Sequence, residues 1–156
     1  MQLGHTAQKL DALGVKTLGV VATDAERARL YFRFRRPRMA VGADPDLISH
    51  RAYGLPNMPP SPELWDAIER SAVRELKLPG SPTGGAYQQL GSFDSYQVTT
   101  ADSADFDRHQ AQLTGQFLID REGIVRWVNV ECAREGLDGI DRLPPEEEVL
   151  AAARAL

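Results

Sequence analysis

Cysteine is almost missing from this chain: Cys132 is the only one among 156 residues. That excludes an internal disulfide and any zinc cage built from several thiolates, and makes a reducing, cytoplasmic setting the expectation. No apolar run approaches the roughly 18 residues that a membrane-spanning helix needs. The opening residues, Met1-Gln2-Leu3-Gly4-His5-Thr6, hold neither a basic nor an apolar signal region, so no secretory signal is expected in the chain as it stands. Gly-x-Ser-x-Gly, Walker and dinucleotide-binding motifs are all absent, and Gly84-Gly85 precedes no phosphate-binding helix. His5, His50 and His109 lie far apart without an i, i+4 partner, so no metal ion and no cofactor is expected. Internal repeats are lacking as well.

What is present suits one globular domain with a sizeable core: 42% hydrophobic and 26% charged residues. A formal net charge of -4 gives no global attraction to nucleic acid or to an anionic membrane. The clearest local signal is Phe117-Leu118-Ile119-Asp120-Arg121-Glu122-Gly123-Ile124-Val125-Arg126-Trp127-Val128. It reads as a β-hairpin in which Asp120 bonds back onto the turn and Gly123 supplies a positive φ. Apolar residues on both faces of this hairpin predict a sheet covered by helices on two sides.

Before it, Leu3, Ala7, Leu10 and Leu13 recur at helical spacing with Gly14 at the end, which predicts a helix over 2–13. Residues 15–22 read as a buried strand. Thr23-Asp24-Ala25-Glu26 reads as a capping box opening a helix to about Arg36, with Leu30, Tyr31 and Phe34 inward and Pro37 beyond its end. Residues 38–43 form a short strand, and Asp44-Pro45 opens a helix that Gly54 ends. Proline-rich and glycine-rich loops at 55–62 and 79–85 bracket a Ser61-capped helix whose apolar face is Leu64, Trp65, Ile68, Ala72 and Leu76. No periodicity is found from Gly84 to about Ala104. Pro144-Pro145-Glu146-Glu147-Glu148 opens a last helix with carboxylates at the positive end of its dipole.

Three strings carry a resemblance: Leu10-Asp11-Ala12-Leu13-Gly14-Val15-Lys16-Thr17-Leu18-Gly19-Val20-Val21, the run from Ala43-Asp44-Pro45-Asp46 to Arg51-Ala52-Tyr53-Gly54-Leu55, and Phe117 to Arg126. Together they are similar to the thioredoxin-like AhpC/TSA (redoxin, peroxiredoxin-like) proteins. The resemblance implies an α/β, three-layer thioredoxin-like fold lacking its first strand, in a single incomplete domain over 1–156 with an insertion at about 56–113 before the terminal hairpin. It implies an antioxidant oxidoreductase that reduces peroxides or exchanges thiols and disulfides, with a small-molecule peroxide or a thiol or disulfide reductant as partner of the full-length form. The family's cysteine motif, Pro-x-x-x-Thr-x-x-Cys or Cys-x-x-Cys, is absent, so the chain reads as amino-terminally truncated, with the attacking cysteine upstream. A non-catalytic binding module that uses the arginine-rich helix or the insertion is the alternative.

No catalytic residue is assigned within the chain. Cys132 follows the second hairpin strand, where Glu131 and Glu135 would raise its thiol pKa, so it is expected to be inert rather than resolving or redox-sensing. Thr114 stands where relatives carry a cis-proline or an arginine facing the attacking cysteine. With Gly115 it is the candidate substrate-binding position, either presenting hydroxyl and backbone to a substrate thiol or simply entering the strand. Arg27, Arg29, Arg33, Arg35, Arg36 and Arg38 interleave with Tyr31, Phe32 and Phe34, a pattern that could bind phosphates and stack bases. Helical spacing puts Arg29, Arg33 and Arg36 on one face and Leu30 and Phe34 on another, so a solvated face over a core face is expected, with neither nucleic acid nor membrane as partner.

Overall fold

The computed structural model of the chain describes residues 2–33, 36–76 and 99–156. They form a mixed α/β protein with three two-stranded sheets. In chain order the elements are α1 (Gln2–Ala12), β1 (Leu18–Val21), α2 (Ala25–Phe32), β2 (Ala40–Ala43), α3 (Ile48–Ala52), β3 (Asn57–Met58), α4 (Pro62–Leu76), α5 (Thr100–His109), β4 (Ala111–Gln112), β5 (Gly115–Ile119), β6 (Val125–Val130), a 3-10 turn (Gly136–Gly139) and α6 (Glu146–Arg154). They fall into two compact units. The first is Met1–Gly54, Gln116–Val128 and Pro144–Leu156; the second is Leu55–Gly115 and Asn129–Leu143. The segment expected as an insertion, 56–113, thus falls with Asn129–Leu143 in the second unit. The loop expected at 79–85, with Gly84-Gly85, and the positions of Phe34 and Arg35 lie outside the described residues.

In the first unit β1 and β2 pair in parallel, Leu18 opposite Ala40 and Val21 opposite Ala43, with α2 as the crossover that parallel pairing requires. The cap of α2 differs from expectation by one residue. Asp24, in extended conformation, accepts from the Arg27 amide at 2.8 Å, so the charged carboxylate stands where the Thr23 hydroxyl was expected. The helix also stops at Phe32, before the segment preceding Pro37. Its buried residue is Ala28, while Leu30 and Tyr31 are 56% and 47% exposed rather than inward. Asp44 opens α3, though not with Pro45 as the first helical residue. Its carboxylate accepts from the Ile48 and Ser49 amides at 2.9 and 2.7 Å, and the helix starts at Ile48 after Leu47, which is buried at φ 55. The Ser49 hydroxyl, ahead of the other causes, holds the Asp44 carboxyl below its ordinary pKa.

The hairpin β5–β6 closes as its sequence dictates. Asp120 accepts from the Glu122 and Ile124 amides at 3.0 and 2.9 Å, its own amide donates to the Ile124 carbonyl at 3.0 Å, and Gly123 sits at φ 81. Leu118 packs with Leu10, Leu150 and Ala153, and Val15, Trp127 and Val149 close the cluster. The helices α1 and α6 therefore cover one face of the hairpin, and the Glu146 carboxylate joins them by accepting from Thr6 and Lys9. On the other face of β5, Phe117 meets the ring of Tyr53, the residue that follows α3, at 4.6 Å, while Val125 and Val128 remain exposed.

In the second unit Ser61 caps α4, its hydroxyl accepting from the Leu64 amide at 3.1 Å. Leu64, Ala67, Ser71 and Ala72 form the buried face of that helix, and Trp65 lies partly exposed against the ring of Phe106 at 5.7 Å. Ser71 is fully buried and donates to the Ile140 carbonyl, which also accepts from Arg74. Residues 100–109, where no periodicity is legible, are the helix α5. It opens on a reciprocal cap in which the Asp102 amide donates to the Thr99 hydroxyl and the Thr99 amide donates to the Asp102 carboxylate. No helix among the described residues is long and apolar enough to cross a membrane.

Candidate functional site

Thr114, Gly115 and Cys132 are the residues singled out by sequence, and the structure brings Thr114 close to Cys132 through the buried side chain of Glu131. Thr114 immediately precedes β5 and Glu131 immediately follows β6, so hairpin pairing sets them side by side. The Glu131 amide donates to the Thr114 carbonyl at 2.9 Å, and the Thr114 amide donates to Glu131 Oε2 at 2.7 Å. The other carboxylate oxygen, Oε1, accepts from the amide of Asp141 at 2.5 Å. Both carboxylate oxygens are therefore held by backbone N–H groups, which compensates the burial of a charge.

This arrangement consumes the Thr114 backbone in both directions. Only the hydroxyl of this exposed residue is left to meet another molecule. Gly115 is half-buried and begins β5.

Cys132 stands at the corner where the chain leaves β6. Its φ of 61, with 59 at Asp141, places two non-glycine residues in the left-handed region, at a cost of about 1–2 kcal/mol each. Neighbouring contacts fix the corner: the Gly136 amide donates to the Cys132 carbonyl at 3.0 Å, and a Cβ at Gly139 would stand 3.5 Å from the Cys132 backbone. The Cys132 side chain packs against the cluster of Leu64, Ala67 and Ile140. Burial, then the negative charges of Glu131 and Asp141, push its thiol pKa up. Glu131 thus acts on the thiol in the direction its sequence position suggests. The second carboxylate is Asp141 and not Glu135, which is paired with Arg142.

Such a site can hold backbone but cannot readily generate a nucleophile. Its carboxylate is occupied and its thiol is kept protonated at neutral pH. His5 faces Arg38 at 3.3 Å, His50 belongs to α3 and His109 ends α5. Among the described residues no group of three or more His, Cys, Asp or Glu side chains could hold a metal ion. Sequence reasoning missed the clamp itself. Its signal is weak: a lone glutamate directly after a strand, with partners that are backbone groups 17 and 10 residues away.

No protein-family model, no curated protein and no solved structure matches the chain.

Proposed function

We propose that the chain is a thioredoxin-like scaffold of the redoxin type, and that peroxide reduction or thiol–disulfide exchange on it depends on an attacking cysteine upstream of these residues. The order of elements in the first unit supports the reading: a parallel β1–α2–β2 crossover, then a hairpin, then a helix packed on that hairpin. The observation that carries the other half is the Cys132 thiol, whose raised pKa makes it a poor thiolate donor. Mapping the transcript through the codon for Met1 tests the proposal. An in-frame strand followed by a cysteine at a helix start supports it, and an in-frame stop codon just before Met1 overturns it. A non-catalytic binding module is the second reading, favoured by the exposure of Leu30 and Tyr31 among the arginines of α2.

A further inference from the structure

The corner at which α5 passes into β4 carries penalties on Gln110 and on both sides of it. Gln110, directly after the last residue of α5, stands at φ 60 and ψ -165. An ordinary left-handed cap closes a helix with ψ of about +47°, whereas this combination belongs to a region that only glycine enters freely. On either side of it, His109 is 9% exposed with Nε2 buried, and Gln112 has its side-chain nitrogen buried. Neither nitrogen has a hydrogen-bond partner among the described residues. Such groups are destabilising, because the bonds they made to water in the unfolded chain are not replaced. What holds the corner shut is modest. The β3–β4 ladder pairs Asn57 with Gln112 and Met58 with Ala111 and extends no further. Beyond it the Gln110 amide donates to the Phe106 carbonyl at 2.6 Å, and the Leu113 amide reaches the Pro56 carbonyl at 3.4 Å.

We infer that residues 109–113 are a latch that opens ahead of the rest of the second unit, hinging at Gln110 and stopping at Thr114. Opening lets Gln110 leave its costly conformation and gives the His109 and Gln112 nitrogens to water, so the penalties of the closed state are relieved together. Against this, the closed state keeps Leu113 and the His109 ring buried and Ala111 packed on Leu64, Ala67 and Ile140. The opposing contributions are each of the order of one buried side chain or one hydrogen bond, which is the condition for a segment to open by itself. The far end is fixed, since Glu131 holds both the carbonyl and the amide of Thr114. A seated water or ion does not remove the penalties of the closed state, because both nitrogens are packed too closely for a water to touch them. What the latch controls is access to the apolar cluster. With Ala111 withdrawn and its pairing to Met58 broken, water reaches the side of Leu64, Ala67 and Ile140 that those two residues cover. The latch operates on either reading of function.

Amide hydrogen exchange of the whole chain, followed by NMR under conditions where reclosing outpaces exchange, tests the latch. In the unchanged protein the Gln110 and Leu113 amides should be protected at least about a hundredfold less than the amides of α4 around Ser71, with exchange that depends little on added urea. Gln110→Gly removes an exposed side chain together with the backbone penalty, and Gln112→Leu removes an unpartnered nitrogen at similar volume. Each should raise the protection factor of the Leu113 amide by at least about fivefold. A corner without these penalties gives the opposite sign, because glycine loosens an unstrained segment. Equal protection of this corner and α4 in the unchanged protein overturns the separate opening. Protection of Leu113 that fails to rise in Gln110→Gly overturns the latch, and a rise there with none in Gln112→Leu overturns the part assigned to the unpartnered nitrogen.

Discussion

Replacing Glu131 gives the sharpest test of what ties Thr114 and Asp141 together within the second unit. The residue is 8% exposed, and each of its carboxylate oxygens accepts one backbone amide, from Thr114 at 2.7 Å and from Asp141 at 2.5 Å. A hydrogen bond to a charged group contributes about 1.5–3 kcal/mol, and a buried donor left without a partner costs a similar amount. Thr114 and Asp141 are themselves exposed, so water recovers part of that loss when both bonds are deleted. Glu131→Ala should therefore destabilise the second unit by about 2–4 kcal/mol. Glu131→Gln keeps the shape but has a single acceptor oxygen; its amide group faces the remaining backbone N–H with a second donor, and about half the effect should remain. The assay is urea unfolding followed by the fluorescence of Trp65, which belongs to the second unit, in a Trp127→Phe background that silences the first. With a slope of about 1–3 kcal/mol per M, the Ala variant should move the midpoint down by about 1–2 M. An Ala variant within about 0.5 kcal/mol of the parent refutes the clamp, as does a Gln variant as costly as the Ala one.

With dithiothreitol as reductant, the chain should consume no more peroxide than its Cys132→Ser variant, and iodoacetamide at pH 8 should alkylate Cys132 more slowly than free cysteine, because burial, Glu131 and Asp141 raise the thiol pKa; a faster reaction would contradict that environment. The Asp120 carboxyl is held below its ordinary pKa by the Ile124 amide first, and also by Arg126. Its folded pKa lies below the unfolded one, so its contribution is complete above the unfolded value of about 3.9 and is lost as the pH falls towards the folded value. A Trp127 fluorescence titration from pH 6 to 2.5 should show acid loosening of the hairpin that Asp120→Asn reduces, and identical curves would remove Asp120 from that role. Leu118→Ala empties a site 6% exposed in the cluster with Leu10, Leu150 and Ala153. It should cost about 2–5 kcal/mol of first-unit stability, read on Trp127 with Trp65→Phe.

What the sequence disclosed was local chemistry, and what it hid depended on distant surroundings. The turn from Asp120 to Gly123, the Ser61 cap and the start of α6 after Pro144-Pro145 are each fixed by a few adjacent residues, and all three occur where they were expected. The start of α2 shifted by one residue because Thr23 and Asp24 are both competent caps, and only the surrounding backbone decides between them. Leu30 and Tyr31 were misplaced for a different reason. Helical periodicity says which residues share a face, but not whether anything lies opposite that face. The helix α5 escaped notice because Phe106 and His109 are its only large inward groups, too few to make a period; the Thr99 and Asp102 cap was its legible mark. At the candidate site, the raised thiol pKa could be anticipated from Glu131 beside Cys132. The engagement of that carboxylate with Thr114 and Asp141 could not, since backbone N–H groups carry no signature in the residues that own them.

Every described strand belongs to a sheet of two, and that arithmetic has a signature in hydrogen exchange. In a β-strand, successive amides point to opposite edges, so a strand with one hydrogen-bonded neighbour engages only alternate N–H groups in its ladder. Along β1 and β5, protected and rapidly exchanging amides should therefore alternate with a period of two. Such strands lack the contiguous block of slow amides that marks a sheet interior and opens only on global unfolding. The slowest protons of this protein should lie instead in the buried turns of α4 around Leu64 and Ser71, so that its kinetic core is a helix rather than a strand.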